Sequence, residues 1–218
     1  MQKTCCVFDM NGTLLDDLGT MHSILCETFE SLGKKRPALA EYRRFAGYSD
    51  YWPLYEKHGF QKSDKGHADE TFRKIFDAKY PGSVKLFDDV RDTMEKLRAS
   101  GFVVAIVSSQ GRKSVESKIK KCGLAGLIDV AVSRDDVKHT KPSAEPLLLA
   151  IRKLGVPPER VICVGDQAAD LQMARNAGVF SVAVSRRGSY DTRETLAKAK
   201  PDIMINKLSN ILRLCGVK

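Results

Sequence analysis

Cys5-Cys6-Val7-Phe8-Asp9-Met10-Asn11-Gly12-Thr13-Leu14 sets a carboxylate where an apolar run stops and a turn begins. A short unbroken apolar run bounded by turn residues reads as a strand buried on both faces. Asp9 therefore stands on the carboxyl-terminal lip of a strand. Far along the chain, Val161-Ile162-Cys163-Val164 runs into Gly165-Asp166, with Asp170 four residues later. In an open parallel sheet, ligands bind beyond the carboxyl ends of the strands. Two strand-end aspartates can thus meet at one crevice, an arrangement suited to Mg2+ and a phosphate.

Working outward, apolar runs predict strands at Thr4–Phe8, Phe102–Val107, Ile128–Val132, Val161–Val164, Val179–Val184 and Asp202–Ile205. Helical patterns cover Asp88–Ala99, Arg112–Lys121, Ala144–Leu154, Ala168–Ala177 and Asn206–Cys215. Leu147, Leu148, Ile151 and Leu154 recur at helical spacing, and Gly155 follows as a stop signal, as Gly101, Gly123 and Gly178 follow three other helices. Strands alternating with amphipathic helices predict an α/β fold: a Rossmann-like three-layer core whose parallel sheet is covered on both faces. One segment breaks the alternation. Between Asp16 and Val84 no strand pattern is found, while Met21–Leu32, Ala38–Ala46, Tyr51–Lys57 and Asp69–Tyr80 read as helices. So long a stretch is no crossover loop. The expected organisation is a core of residues 1–15 and 85–218 with an inserted α-helical cap over 16–84, hinged near Asp16–Leu18 and Pro81–Lys85.

With 218 residues, 43% hydrophobic and 29% charged, the chain can bury a sizeable core. No apolar run reaches the roughly 20 residues of a membrane span, and the stretch before Asp9 is too short for a signal-peptide core. The expectation is a soluble cytoplasmic protein. Six cysteines lie within or beside apolar segments without metal-binding spacing, and read as reduced, buried thiols. The net charge is +9, yet 16–84 holds 11 acidic and 11 basic residues, so the excess of 25 basic over 16 acidic belongs to the remainder. Lys118, Lys120, Lys121, Arg186 and Arg187 contribute, but no long basic run or aromatic interleaving marks a nucleic-acid surface. Attraction of anionic small molecules, of which a small phosphorylated metabolite is one, accounts for the charge equally well.

Each chemical signal has a bland counterpart. Asp9 before Asn-Gly is as often an ordinary turn as a nucleophile or metal ligand, although Gly12 lets a backbone approach an anion closely. Ser108 and Ser109 end the second strand, where hydroxyl and N–H groups can bind phosphate oxygens; a serine-rich turn is the simpler reading. Lys141, before Pro142-Ser143, can reach a phosphate or the attacking carboxylate, or be merely solvated. Asp166 and Asp170 can face one opening, or serve as a helix cap and a dipole-favoured acid. Singly these are weak. Their order and their placement at strand ends carry the inference.

In that order, Asp9-Met10-Asn11-Gly12-Thr13, Ser108, Lys141 and Gly165-Asp166-Gln167-Ala168-Ala169-Asp170 resemble the four motifs of the haloacid dehalogenase (HAD) superfamily. Lys141-Pro142…Pro146…Ala150…Leu154-Gly155 and Asp170…Ala174…Ala177-Gly178-Val179 agree, and the resemblance spans the chain, most like phosphoglycolate-phosphatase-type members. It implies a phosphatase in which Asp9 is the nucleophile of an aspartyl-phosphate. Mg2+ would be held by Asp9, the Asn11 backbone carbonyl and Asp166, with Asp170 beside them; Gly12, Ser108, Ser109 and Lys141 would bind the phosphoryl group.

Asn11 departs from the pattern. Family phosphatases carry an aspartate there that protonates the leaving oxygen and later activates water, help worth about 10²–10⁴-fold. An amide does neither. Four readings stay open: a weak phosphatase, or one for leaving groups that need no proton, such as acyl phosphates; a phosphonatase-like hydrolase using Lys34 or Lys35 as a Schiff base; a form substituted to trap an intermediate; and a silent phosphate-binding or regulatory protein. The cap is expected to close over the phosphate. Arg43, Arg44, Gly47-Tyr48, Tyr51, Trp52 and His58 are candidates for its substrate side, with packing of the cap core the simpler role for Tyr51 and Trp52. Arg186-Arg187-Gly188 falls at a strand end and reads as a surface loop.

Overall fold

In the computed structural model, which describes residues 4–46 and 51–217, the apolar runs become six parallel strands: β1 (Cys5–Phe8), β2 (Val103–Val107), β3 (Val130–Val132), β4 (Val161–Gly165), β5 (Phe180–Val184) and β6 (Ile203–Ile205). The helices among the described residues are α1 (Leu18–Ser31), α2 (Leu39–Phe45), α3 (Trp52–Lys57), α4 (Lys65–Ser83), α5 (Val90–Ala99), α6 (Arg112–Lys121), α7 (Glu145–Leu154), α8 (Ala168–Asn176), α9 (Arg193–Lys198) and α10 (Asn210–Leu214). The chain divides into two compact units, Met1–Asp16 with Lys85–Lys218, and Asp17–Val84.

The sheet of the first unit is ordered β3-β2-β1-β4-β5-β6. β1 is central, so Phe8 pairs with Ile106 on one side and Val164 on the other. Strand order reverses between β1 and β4, which opens a crevice beyond their carboxyl ends. Alternate residues take opposite faces. Cys5, Val7, Ala105, Val107, Val161 and Cys163 share one core with Leu147, Ala150 and Ile151 of α7 and Met173 and Ala174 of α8. Cys6 faces the other way, its sulfur 3.8 Å from that of Cys215 beside α10. Helices thus cover both faces, and the fold is the three-layer α/β arrangement. All six cysteines are buried, and no disulfide joins them.

Local differences from the sequence reading have physical causes. Leu148 is 42% exposed, because 100° per residue turns it off the stripe that Leu147 and Ile151 bury. α9 was not expected: it is six residues long and buries one side chain, Leu196, too little for a periodic signal. α10 starts at Asn210 rather than Asn206, since Asn210 N–H closes a turn onto the Lys207 carbonyl. α4 runs to Ser83 through Pro81, so the expected hinge begins inside a helix, and Leu18 is already helical.

Among its described residues the second unit holds helices and turns and no strand. Phe29 packs against Tyr55 at 4.7 Å and Phe60 at 5.0 Å between ring centroids, and Trp52 stacks on Tyr55 at 5.4 Å. Buried aromatics at this density supply most of a small core. The Tyr80 hydroxyl donates to Asp17 Oδ2 at 2.7 Å, tying the end of α4 to the start of α1. No helix among the described residues is long and apolar enough to cross a membrane.

Candidate active site

β1 and β4 deliver their aspartates to one place. The Asp9 N–H donates to the Val164 carbonyl at 2.9 Å, which prolongs the ladder by one step and fixes the residue at the strand tip. Asp166 follows β4, and Asp170 lies in the first turn of α8. Asp9, Asp166 and Asp170 are all buried, and each brings a carboxylate oxygen within 4.8 Å of the others. Three carboxylates this close repel one another unless a cation or a bound proton offsets their charge.

Lys141 supplies one charge. Its Nζ lies 2.5 Å from Asp9 Oδ1 and 2.7 Å from Asp170 Oδ1, with 6% of its side chain exposed. One ammonium does not balance three acids. Burial pushes Asp9 up to about 6, against the lowering pull of Lys141, with Asp170 adding repulsion. Burial first, then Asp9 and Asp170, raise Asp166 well above the carboxylate range. Burial works to lower the Lys141 ammonium, but Asp170 and Asp9 outweigh it and hold it protonated.

Asp166 is aimed by residues the sequence did not mark for that purpose. Thr13 Oγ1 donates to Asp166 Oδ1 at 2.8 Å, and the Tyr190 N–H donates to Oδ2 at 2.6 Å. Asp170 serves two ends: Oδ2 accepts from the Gln167 N–H at 3.1 Å and caps α8, while Oδ1 faces Lys141. The capping reading and the site reading of Asp170 hold together. Gly165 is required by the same packing, because a Cβ there would sit 2.3 Å from the Asp170 side chain.

Gly12 has a different use from the one its sequence context suggests. Its N–H is donated to the Leu15 carbonyl at 2.8 Å, so it is spent within the turn. Its φ is +80°, and a Cβ would lie 2.1 Å from Asp166 Oδ2. Glycine is needed there so that the loop can touch the carboxylate. Likewise the Ser108 N–H continues the sheet to the Val132 carbonyl at 2.9 Å, while its Oγ accepts from the Gln110 N–H at 3.2 Å. Ser109 is exposed.

Arg186 is not a surface residue. Its guanidinium lies over Phe87 at 3.6 Å from the centroid, donates to Asp89 Oδ1 at 2.8 Å, and donates to the Thr13 carbonyl. It clamps the turn that carries Thr13. Arg187 is exposed. Asn11 is half-buried, and its Oδ1 lies 3.4 Å from the ammonium of Lys118. A lysine on the Val115–Cys122 side of α6, where apolar residues are expected, was the available signal. Within the helical unit, Lys34 Nζ donates to the Gly59 carbonyl at 2.7 Å and Lys35 is exposed, so neither is presented as a buried amine. Tyr51 stacks on Tyr42 at 6.1 Å, His58 packs edge-on to Phe29 at 5.2 Å, and Arg44 is exposed. Gly47 and Tyr48 lie outside the described residues.

The haloacid dehalogenase-like hydrolase family model matches residues 6–184. The chain is 31% identical to pyrophosphatase PpaX of Bacillus velezensis over 223 aligned residues, covering 99% of this chain and 97% of that one. It is 31% identical to pyrophosphatase PpaX of Bacillus cereus, covering 97% and 96%. Among solved structures, a protein described as a predicted phosphoglycolate phosphatase from Haemophilus somnus superposes with a TM-score of 0.86 at 20% identity, over 98% of each chain. A haloacid dehalogenase-like family protein from Streptococcus pneumoniae gives 0.83 at 22%, covering 97% of this chain and 98% of that one. At such identities the structures speak to the fold.

Proposed function

Because the chain belongs to the haloacid dehalogenase-like hydrolases, we propose that it is a Mg2+-dependent phosphatase acting on a phosphoanhydride or similarly activated phosphate of a small metabolite, through an aspartyl-phosphate on Asp9. The observation that carries this reading is the meeting of Asp9, Asp166 and Asp170, oxygens within 4.8 Å, beside the Lys141 ammonium.

The donor set fits the metal. It is all oxygen, it is buried, and burial already holds Asp9 and Asp166 above their ordinary range, a cost that a dication removes. Asp9, Asp166, Asp170 and the Asn11 main-chain carbonyl would hold it. When bound, the ion neutralises charge on the transferring phosphoryl group. The rest falls to the chain. An Asp9 oxygen attacks phosphorus; the bond to the leaving oxygen breaks, and that oxygen departs with the electron pair. Water then attacks phosphorus, the bond from Asp9 to phosphorus breaks with its electron pair returning to the carboxylate, and both protons of the water leave with the phosphate. Lys141 holds the nucleophile in place and balances phosphate charge, while Asp170 holds Lys141.

Asn11 sets the substrate class. Its amide carries no proton to give, so the leaving group must depart as a stable anion, as phosphate or a carboxylate does. The relatives named pyrophosphatase fit this requirement. The helical unit 17–84 stands where the family inserts a cap, and we read it as one. Phosphate release from inorganic pyrophosphate and acetyl phosphate with Mg2+ tests the proposal. Both are expected to be cleaved only when Asp9 is present, with an alkyl monoester at least about 10²-fold slower. Equal rates for the protein and Asp9→Ala would leave a binding protein instead.

A further inference from the structure

Both hydrogen bonds that aim Asp166 come from segments that one guanidinium governs. Thr13 gives its hydroxyl to Oδ1, and Tyr190 gives its N–H to Oδ2. Arg186 donates to the Thr13 carbonyl, and its own backbone opens the turn that leads to Tyr190. In that turn the Arg186 N–H donates to Ser189 Oγ at 3.1 Å, and the Ser189 N–H returns to the Arg186 carbonyl at 3.1 Å. The guanidinium is itself held. It lies on the Phe87 ring and donates to Asp89 Oδ1, while Asp89 Oδ2 accepts from the Ser209 N–H at 3.1 Å. The anchor is thus fixed between the starts of α5 and α10. Phe87 in turn gives its N–H to the carbonyl of Leu14 at 3.0 Å, one residue beyond Thr13.

An ionised carboxylate accepts at about four positions, so one donor on each oxygen still leaves Asp166 room for a cation. What Thr13 and Tyr190 fix is its direction. Partners behind a metal-binding side chain are typically worth about 10–100-fold in metal affinity. We propose that Arg186 is a positioning residue for the cation site, acting on Asp166 through Thr13 and the turn that carries Tyr190. This rests on the reading of Asp9, Asp166 and Asp170 as a cation site and deepens it. A planar guanidinium can grip the Thr13 carbonyl and Asp89 with separate arms, which neither an ammonium nor an apolar side chain does. Stability alone gives no reason for the pair, since a buried ion pair is often no more stabilising than apolar residues of like volume.

The test is Mn2+ binding to the full chain, read by electron paramagnetic resonance without substrate, in the parent, Arg186→Met, Thr13→Val and the double variant. Arg186→Met is expected to raise the Mn2+ Kd about tenfold. Two controls separate positioning from general damage. Ile151→Ala empties buried core in α7, and Arg187→Met removes an exposed charge next in sequence. Both should leave the Kd within about twofold of the parent. The double variant should lose less than the product of the two single losses, because both changes act on one carboxylate. Arg186→Lys, which keeps the charge and gives up the fork, carries the same comparison if Arg186→Met does not fold. A parent Kd unmoved by loss of Arg186, or moved equally by Ile151→Ala, or single losses that multiply in full, overturns this inference alone. A parent that binds no ion overturns the cation-site reading and this inference with it.

Discussion

Replacing Gly12 by alanine drives a methyl group into the aspartate cluster. Its φ of +80° costs a residue with a Cβ about 1–2 kcal/mol. The Cβ would lie 2.1 Å from Asp166 Oδ2, roughly 1 Å short of a tolerable contact, and 2.6 Å from the Tyr190 ring. Asp166 cannot retreat freely, because Thr13 Oγ1 at 2.8 Å and the Tyr190 N–H at 2.6 Å hold its two oxygens. Moving it breaks at least one hydrogen bond to a buried carboxylate, about 1.5–3 kcal/mol. Together these predict a loss of roughly 3–5 kcal/mol in urea unfolding, with Mg2+ affinity lost in the same variant. Gly126→Ala, whose Cβ meets nothing within 4 Å, is the control and should stay within about 0.5 kcal/mol of the parent. A Gly12→Ala protein within about 1 kcal/mol of the parent, still cleaving pyrophosphate, would refute the packing argument.

Three further outcomes follow from the same geometry. Lys141→Met leaves Asp9 and Asp170 buried without their ammonium and should cost about 3–5 kcal/mol in cation-free unfolding; a loss below about 1 would mean the pair is not buried as described. Asp9 stands near 6 when folded against 3.8 for an ordinary aspartate. The folded chain therefore binds the extra proton between those values, and cation-free stability falls by on the order of 3 kcal/mol as pH rises through that window. Mg2+ should then raise Tm more at pH 7 than at pH 4.5, and an equal rise at both would contradict the assignment. Arg186→Met removes the hold on the Thr13 carbonyl and the pairing with Asp89, and should cost about 2–4 kcal/mol by denaturant titration; a surface role would give almost nothing.

The fold was legible because each core strand is a continuous apolar run between turn residues, and because Leu147 with Ile151, or Val90 with Met94 and Leu97, carries a helical period. Where burial thins, the signal fades. α9 buries only Leu196, and nothing in its sequence outweighs its polar surroundings. At the site, Asp9 and Asp166 could be read from their place at strand ends, and Asp170 from the first helical turn that follows, which are local properties. Their supports could not. Thr13 reaches Asp166 across 153 residues, Arg186 reaches Thr13 across 173, and Lys118 reaches Asn11 across 107. Those contacts depend on strand order, which no local pattern encodes. Gly12 and Gly165 show the same divide. Their spacing marked a turn, but the carboxylates they make room for became visible only once β1 and β4 lay side by side.

Titration of the apo protein with Mn2+, read by electron paramagnetic resonance, examines the central claim without any substrate. One ion per chain should bind, displaceable by Mg2+. Asp9→Ala and Asp166→Ala should each abolish it, while Asp92→Ala, on exposed α5 surface, should not. An ion retained after loss of either strand-end aspartate would contradict the account.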